Sequence, residues 1–236
     1  AADLMYDQRG DLAPALGRSV ELLHDQLDRF EALLADLLEI SRFDAGAAAL
    51  ELDQVDLGAL ATRVVSGVET LAERRGTVLI IDAPGKSVLA EADARRVERV
   101  VRNLVVNAIE HGEGRPVIIR VAQNTTAAAI AVRDHGVGLR PGESSLVFNR
   151  FWRADPARAR TTGGTGLGLA ISLEDARLHD GWLQAWGEPS QGSVFRLTLP
   201  RTAGIPIEES PLPLAPLPVD ADATTRLRPV RLLEAP

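Results

Sequence analysis

Between Leu16 and Leu37 the apolar positions alternate at gaps of four and three residues: Leu16, Val20, Leu23, Leu27, Phe30, Leu34 and Leu37. This heptad pattern predicts one long helix over 14–43 whose apolar seam packs on partner helices in a left-handed supercoil. At about 1.5 Å per residue the helix is roughly 45 Å long. Leu22, Leu33, Leu38 and Ile40 widen the stripe, which suits a bundle better than a two-stranded coil. A helical segment this small cannot cover its own stripe. The pattern therefore predicts a homodimer through 14–43, against the plainer alternative of a core helix in a monomer. Ahead of it, residues 1–6 read as the end of a helix and 7–14 as a polar turn.

Downstream the pattern shortens. Residues 44–49 (DAGAAA) form a small-residue hinge and 50–55 a short strand. Asp56 caps a helix to about Arg75 with Leu57, Leu60, Val64, Val68 and Leu71 on one face, and Gly76 stops it. Residues 78–81 and 88–90 read as short strands. Asp93 caps the next helix, which turns Val97, Val101, Leu104 and Ala108 inward and sets Asn103, Asn107 and His111 four residues apart on one face. Residues 115–122 and 127–132 read as two strands around a polar turn, 166–179 as a helix, and 182–186 and 193–199 as closing strands. Seven of the fourteen prolines then fall between Ile205 and Pro236, which predicts an extended, mobile tail. Three segments follow: 1–45, partial dimerisation helices; 46–200, a mixed α/β domain; and 201–236, a Pro-rich flexible tail.

Composition narrows the classes. The chain has 236 residues, 45% of them apolar and 25% charged, with a net charge of −7. The negative balance argues against a nucleic-acid partner. There is no cysteine, which excludes disulfides and thiolate metal sites and fits a reducing compartment. No apolar run reaches the length needed to span a membrane.

Four stretches carry candidate chemistry. The first is the helix face with Asn103, Asn107 and His111. The second is Asp134-His135-Gly136-Val137-Gly138 at a strand end. The third is FNRFWR at 148–153, and the fourth is TTGGTGLGLA at 161–170. Glycines that lead straight into a helix let backbone N–H groups approach a polyphosphate. An amide oxygen suits Mg²⁺, which takes one or two protein oxygens and completes its shell with water and phosphate. Asp134 is acceptor-only and matches an exocyclic amino group. Arg150, Arg153, Arg158 and Arg160 match phosphate. Each has a plainer reading: a surface turn for the glycines, helix-bound amides for the asparagines, a tight turn for Asp134, a solvated face for the arginines and a helix end for His111. Together the four are more specific than any one.

NLVVNAIEH, DHGVG, FNRFWR and GGTGLGLA resemble the N, G1, F and G2 boxes of the sensor histidine kinases. LLADLLEISRFDAG resembles the second helix and hinge of their dimerisation domain. The resemblance covers residues 1–200, with wording most like that of the actinobacterial MtrB-type kinases. It implies an α+β fold: an N-terminal helical dimerisation segment followed by an α/β-sandwich GHKL (Bergerat) ATP-binding domain. The ligands implied are ATP and Mg²⁺. The reaction implied is transfer of the γ-phosphoryl group to a histidine and then to a response-regulator aspartate. Carried over by residue, Asn107 holds Mg²⁺, with Asn103, as catalytic residue, and His111 near the phosphates. Asp134 binds the adenine amino group, and Gly136 and Gly138 border the base. Phe148 and Arg153 belong to an ATP lid running to about Gly163. Gly164, Thr165, Gly166, Leu167, Gly168 and Leu169 cradle phosphates and pack the lid. The partners implied are a second copy and a response regulator, with the domain on the cytoplasmic side of a membrane-anchored parent.

Two departures stand out. Glu110 occupies a position where the family often has a basic residue. The family's phosphoacceptor lies in a His-Glu/Asp-x-x-x-Pro box, and none of His24, His111, His135 and His179 has that context. A fragment whose parent supplies the box is the simpler expectation, and a protein lacking it is the rival. Another GHKL-type ATPase or a nucleotide-binding scaffold is the alternative function.

Overall fold

The structure, a computed structural model, describes residues 14–154 and 165–215. The chain divides into two compact units. Among the described residues the first holds 14–48 with Thr165, and the second holds 49–154 with 166–215.

The first unit is built on helix α1 (Pro14–Asp44). Leu16, Leu23, Leu27, Phe30, Leu34 and Leu37 all lie exposed along it, Phe30 at 57%. The seam read from the heptads is therefore an uncovered apolar stripe. Thr165 donates its hydroxyl to Oδ2 of Asp36 at 2.9 Å.

The second unit follows the order β1 (Asp53–Asp56), α2 (Leu57–Arg75), β2 (Leu79–Asp82), β3 (Leu89–Ala92), α3 (Ala94–His111), β4 (Val117–Gln123), β5 (Ala127–Arg133), α4 (Glu143–Leu146), α5 (Gly168–Leu178), β6 (Trp182–Glu188) and β7 (Gly192–Pro200). Five strands form one sheet in the order β2-β4-β5-β7-β6, and β1 pairs with β3 alone. Only β2 and β4 run parallel, as the helical crossover between them requires. The helix boundaries follow their caps. Asp56 accepts the N–H of Gly58 at 2.9 Å at the start of α2, and Gly76, at φ +67°, ends it by returning its N–H to the Ala72 and Glu73 carbonyls. Asp93 accepts from the N–H groups of Arg95 and Arg96 at the start of α3.

Helices α2, α3 and α5 cover one face of the sheet, with α3 between the other two. The core between the layers contains Leu57, Leu60, Leu104, Ile130, Phe195 and Leu197. Burial of this kind is worth roughly 1.5–3 kcal/mol for each large side chain. Strand β5 reads AAAIAVR and is buried on both sides. Ala128, Ile130 and Val132 face the helices, while Ala129 and Ala131 face a second apolar cluster with Val194 and Leu212.

That second cluster depends on the stretch after β7. Residues 201–215, read as the start of a mobile tail, lie across the outer face of the sheet as a strap. Leu212 is buried there. Arg196, a buried cation in the middle of β7, donates to the Leu212 carbonyl and to Oε1 of Gln184. Asn124 donates to the Glu209 carbonyl at 3.1 Å, and the Thr198 and Ser210 hydroxyls lie 2.8 Å apart. Proline removes the helix option but not the apolar side chains between the prolines, and a sheet face offers them cover. Residues 216–236, and the helix end and polar turn expected over 1–13, lie outside the described residues.

Candidate functional site

Helix α3 presents a half-buried stripe through Asn103, Asn107 and Glu110, spaced by four and three residues. His111, the last residue of α3, is exposed. The Asn103 amide nitrogen lies 3.1 Å from the Gly168 carbonyl and 3.1 Å from the Ser172 hydroxyl, both on α5. Neither Asn107 nor the Asn103 oxygen has a hydrogen-bonding partner among the described residues. The Asn103 amide is thus held with its oxygen available to a cation, and Asn107 lies on the same face of the helix. Burial pushes the Glu110 carboxyl up from its ordinary value, against the pull of His111, Arg75 and Arg153.

Asp134 follows β5 and is 1% exposed. Its Oδ1 accepts the Gly136 N–H at 2.9 Å, and its Oδ2 accepts the Ser193 hydroxyl from β7. Strand β7 also holds the Asp134 backbone, whose N–H donates to the Ser193 carbonyl at 3.0 Å. The two glycines of this loop are required by backbone contact. A Cβ at Gly136 would stand 1.8 Å from the His111 carbonyl oxygen, and one at Gly138, where φ is +70°, would stand 1.8 Å from the Glu188 oxygen. The end of α3, the Asp134 loop and the β6 end are therefore packed together, with the carboxylate of Asp134 among them. His135 turns away and donates from Nδ1 to the Pro116 carbonyl at 2.8 Å.

Phe148 is a packing residue: its ring meets Phe195 edge-on at 6.2 Å between centroids. Phe151, at φ +63°, is exposed, and its N–H donates to the Gly166 carbonyl at 2.9 Å. Arg153 is half-buried and lies near enough to Glu110 to act on its carboxyl. Leu167 is fully buried, and Leu169 packs against the core. Thr165 groups with the helical unit, whereas Gly166 onward belongs to the second unit. Gly164, Arg158, Arg160 and the lid expected over 153–163 from residue 155 onward lie outside the described residues.

Several residues that shape this site escape a reading of the sequence. Ser193 and Ser172 are isolated serines within apolar elements, with no local pattern to mark them. Asp175, 1% exposed on α5, takes Arg99 at 2.7 Å and Arg96 at 3.0 Å from α3. His179 accepts the Asp93 N–H on Nε2 at 2.9 Å and donates from Nδ1 to the Asp175 carbonyl at 2.7 Å. A backbone N–H can only donate, so these partners fix the neutral tautomer. This cluster joins the start of α3 to the end of α5, the two helices that meet at Asn103 and Gly168.

The residues present fit a magnesium nucleotide. The observation is the donor set: two half-buried amides whose oxygens have no partner among the described residues, and a buried carboxylate acceptor beside the end of the same helix. Among the described residues no group of three or more His, Asp or Glu side chains forms a metal cage.

Residues 92–203 match the histidine kinase-, DNA gyrase B- and HSP90-like ATPase family. The chain is 58% identical over 218 residues to the sensor histidine kinase MtrB of Mycobacterium tuberculosis, covering 92% of this chain and 38% of that protein. It thus spans less than half the length of this relative. Full-length ShkA, solved in complex with AMPPNP, superposes with a TM-score of 0.68 at 25% identity, over 81% of this chain and 39% of that one. The histidine kinase ThkA, solved in complex with the response regulator protein TrrA, superposes with a TM-score of 0.64 at 22% identity, over 84% and 55%. Residues 92–203 are a histidine kinase-type ATPase domain, and the chain is a relative of the sensor histidine kinases.

Proposed function

We propose that this chain is the ATP-binding catalytic part of a sensor histidine kinase. The observation that carries the reading is the pairing of two amide oxygens on α3, without partners among the described residues, with the buried Asp134 carboxylate beside its end, which accepts two hydrogen bonds. Asn107 would hold Mg²⁺, Asn103 would serve the phosphate end, and Asp134 would accept the adenine amino group. ATP supplies the phosphoryl group. The residues here bind and orient it, in line with phosphoryl transfer resting on positioning and electrostatic stabilisation. In the reaction proposed, the bond from the γ-phosphorus to ADP breaks and a P–N bond to an acceptor imidazole forms. The imidazole proton passes to a neighbouring base, and a response-regulator aspartate takes the group next.

The uncovered seam of α1 supports a homodimer, since an apolar stripe of this length in water favours a second copy. The complex solved for ThkA supports a response regulator as downstream partner. Among the described residues no helix is long and apolar enough to cross a membrane, so a membrane anchor would belong to other parts of a parent protein.

Calorimetric titration with ATP, with and without Mg²⁺, tests the reading. Binding that strengthens with Mg²⁺ and loses that gain in Asn107→Ala is expected. Absence of ATP binding by the folded chain would reject it.

A further inference from the structure

Ser172 touches the site only through the Asn103 amide. It is fully buried on α5, where a hydroxyl needs partners. It donates to the Gly168 carbonyl one turn earlier, at 2.8 Å. Its lone pairs then face the Asn103 amide nitrogen at 3.1 Å. The same nitrogen reaches the Gly168 carbonyl at 3.1 Å. A carbonyl only accepts, so nitrogen, not oxygen, must face α5. Both amide protons are used, and the oxygen is the atom left to project from the pair.

The fit at this point is close. A Cβ on Gly168 would stand 3.3 Å from the Asn103 nitrogen and 3.5 Å from its Cγ. The start of α5 therefore presses on the amide from one side while Ser172 fixes its rotation. An amide oxygen turned outward repels phosphate oxygens but suits a cation or the water bound to one. Asn107, one turn along α3, faces the same way on the half-buried stripe.

We propose that Ser172 is a positioning residue for nucleotide binding: it holds Asn103 with its oxygen outward, where that oxygen serves the hydrated Mg²⁺ accompanying the polyphosphate. The inference rests on the ATP-site reading given above. Without Ser172 the amide keeps only Gly168 as a partner and turns more freely, so the effect falls on the metal-dependent part of the affinity.

The test is calorimetric ATP titration of the full chain, with Mg²⁺ and with the metal chelated, for the unmutated protein, Ser172→Ala, Asn103→Ala and the double variant. Losing one neutral hydrogen bond predicts an ATP affinity about five- to tenfold weaker with Mg²⁺ in Ser172→Ala. The chelated affinity stays unchanged, and the double variant is no weaker than Asn103→Ala alone. Ser172→Cys, close in volume but a weak acceptor, gives the same selective loss and serves if the alanine variant fails to fold. Equal losses with and without metal, or a full Ser172 effect persisting in the Asn103→Ala background, would show a merely structural serine and overturn the proposal. Unchanged binding in both Ser172 variants would overturn it too. An unmutated chain that binds no ATP would instead overturn the site reading and this inference with it.

Discussion

Ser193 on β7 donates its hydroxyl to Oδ2 of Asp134, while the Asp134 N–H returns to the Ser193 carbonyl at 3.0 Å. A strand at the far end of the sequence thereby holds the carboxylate that closes the α3 end of the site. Replacing Asp134 by alanine removes an acceptor from a buried place. We expect ATP binding to weaken by about 1–3 kcal/mol, roughly 5- to 150-fold. Ser193→Ala leaves Oδ2 without its protein donor and is expected to cost a similar amount of folding stability. Calorimetry and urea unfolding read the two effects, and unchanged ATP affinity in a folded Asp134→Ala chain would remove the adenine role.

The pH dependence of stability has two opposed contributions. Burial raises the Glu110 carboxyl above its unfolded value, and His111, Arg75 and Arg153 only partly offset this. A raised group stabilises the fold when protonated, and that contribution is lost as pH rises through the folded value. Glu110→Gln should therefore be more stable than the unmutated chain at neutral pH, with the gap closing as the solution is acidified. Asp93 has the opposite sign. Burial raises its carboxyl, but the N–H groups of Glu51, Arg96 and Arg95 and the Arg96 charge outweigh that and hold it below its ordinary value. Its contribution is present above the unfolded value and is lost as pH falls through the folded one. Asp93→Ala should cost about 0.5–2 kcal/mol at neutral pH and flatten the acid limb. Thermal unfolding against pH checks both.

Leu27 lies in the middle of the exposed α1 seam, 43% exposed in the single chain. Leu27→Asp places an unpaired charge in the expected dimer interface and should shift the chain toward monomer. Sedimentation velocity over a range of concentrations measures the shift. An unmutated chain that stays monomeric at the highest concentration would refute dimerisation through α1.

The strap after β7 allows a separation of stability from binding. Leu212 packs on Ala129, Ala131 and Val194, on the sheet face opposite the helices. Leu212→Ala should cost about 2 kcal/mol or more in urea unfolding. ATP affinity should hold, because the side-chain hydrogen bonds of Asp134 and Asn103 go to Gly136, Ser193, Gly168 and Ser172, none of them in the strap. A matching loss of ATP affinity would show that the strap also shapes the site.

What the sequence disclosed depended on range. The heptads of α1 and the Asp56 and Asp93 caps are local patterns, and each reads directly. The asparagines of α3 and the Asp134 glycines are also local in spacing. Ser193 meets Asp134 across 59 residues and Ser172 meets Asn103 across 69. A lone serine carries no periodic signal, so these bonds become visible only when the sheet and helices are assembled. The strap was hidden for a different reason. Proline composition suppressed a packing reading, although β5, apolar on both faces, already called for cover on the side away from the helices.

We propose that this chain places ATP for transfer to a histidine that its own four histidines do not supply. Incubation with γ-labelled ATP tests it most directly, alone and with a partner chain that carries an intact His box, a disabled ATP site and a matching α1 seam. We predict acid-labile label on the partner only. Label on this chain by itself would contradict the absence of an acceptor among His24, His111, His135 and His179. An unlabelled partner in proven heterodimers would contradict transfer in trans and leave a nucleotide-binding scaffold or a strictly cis kinase.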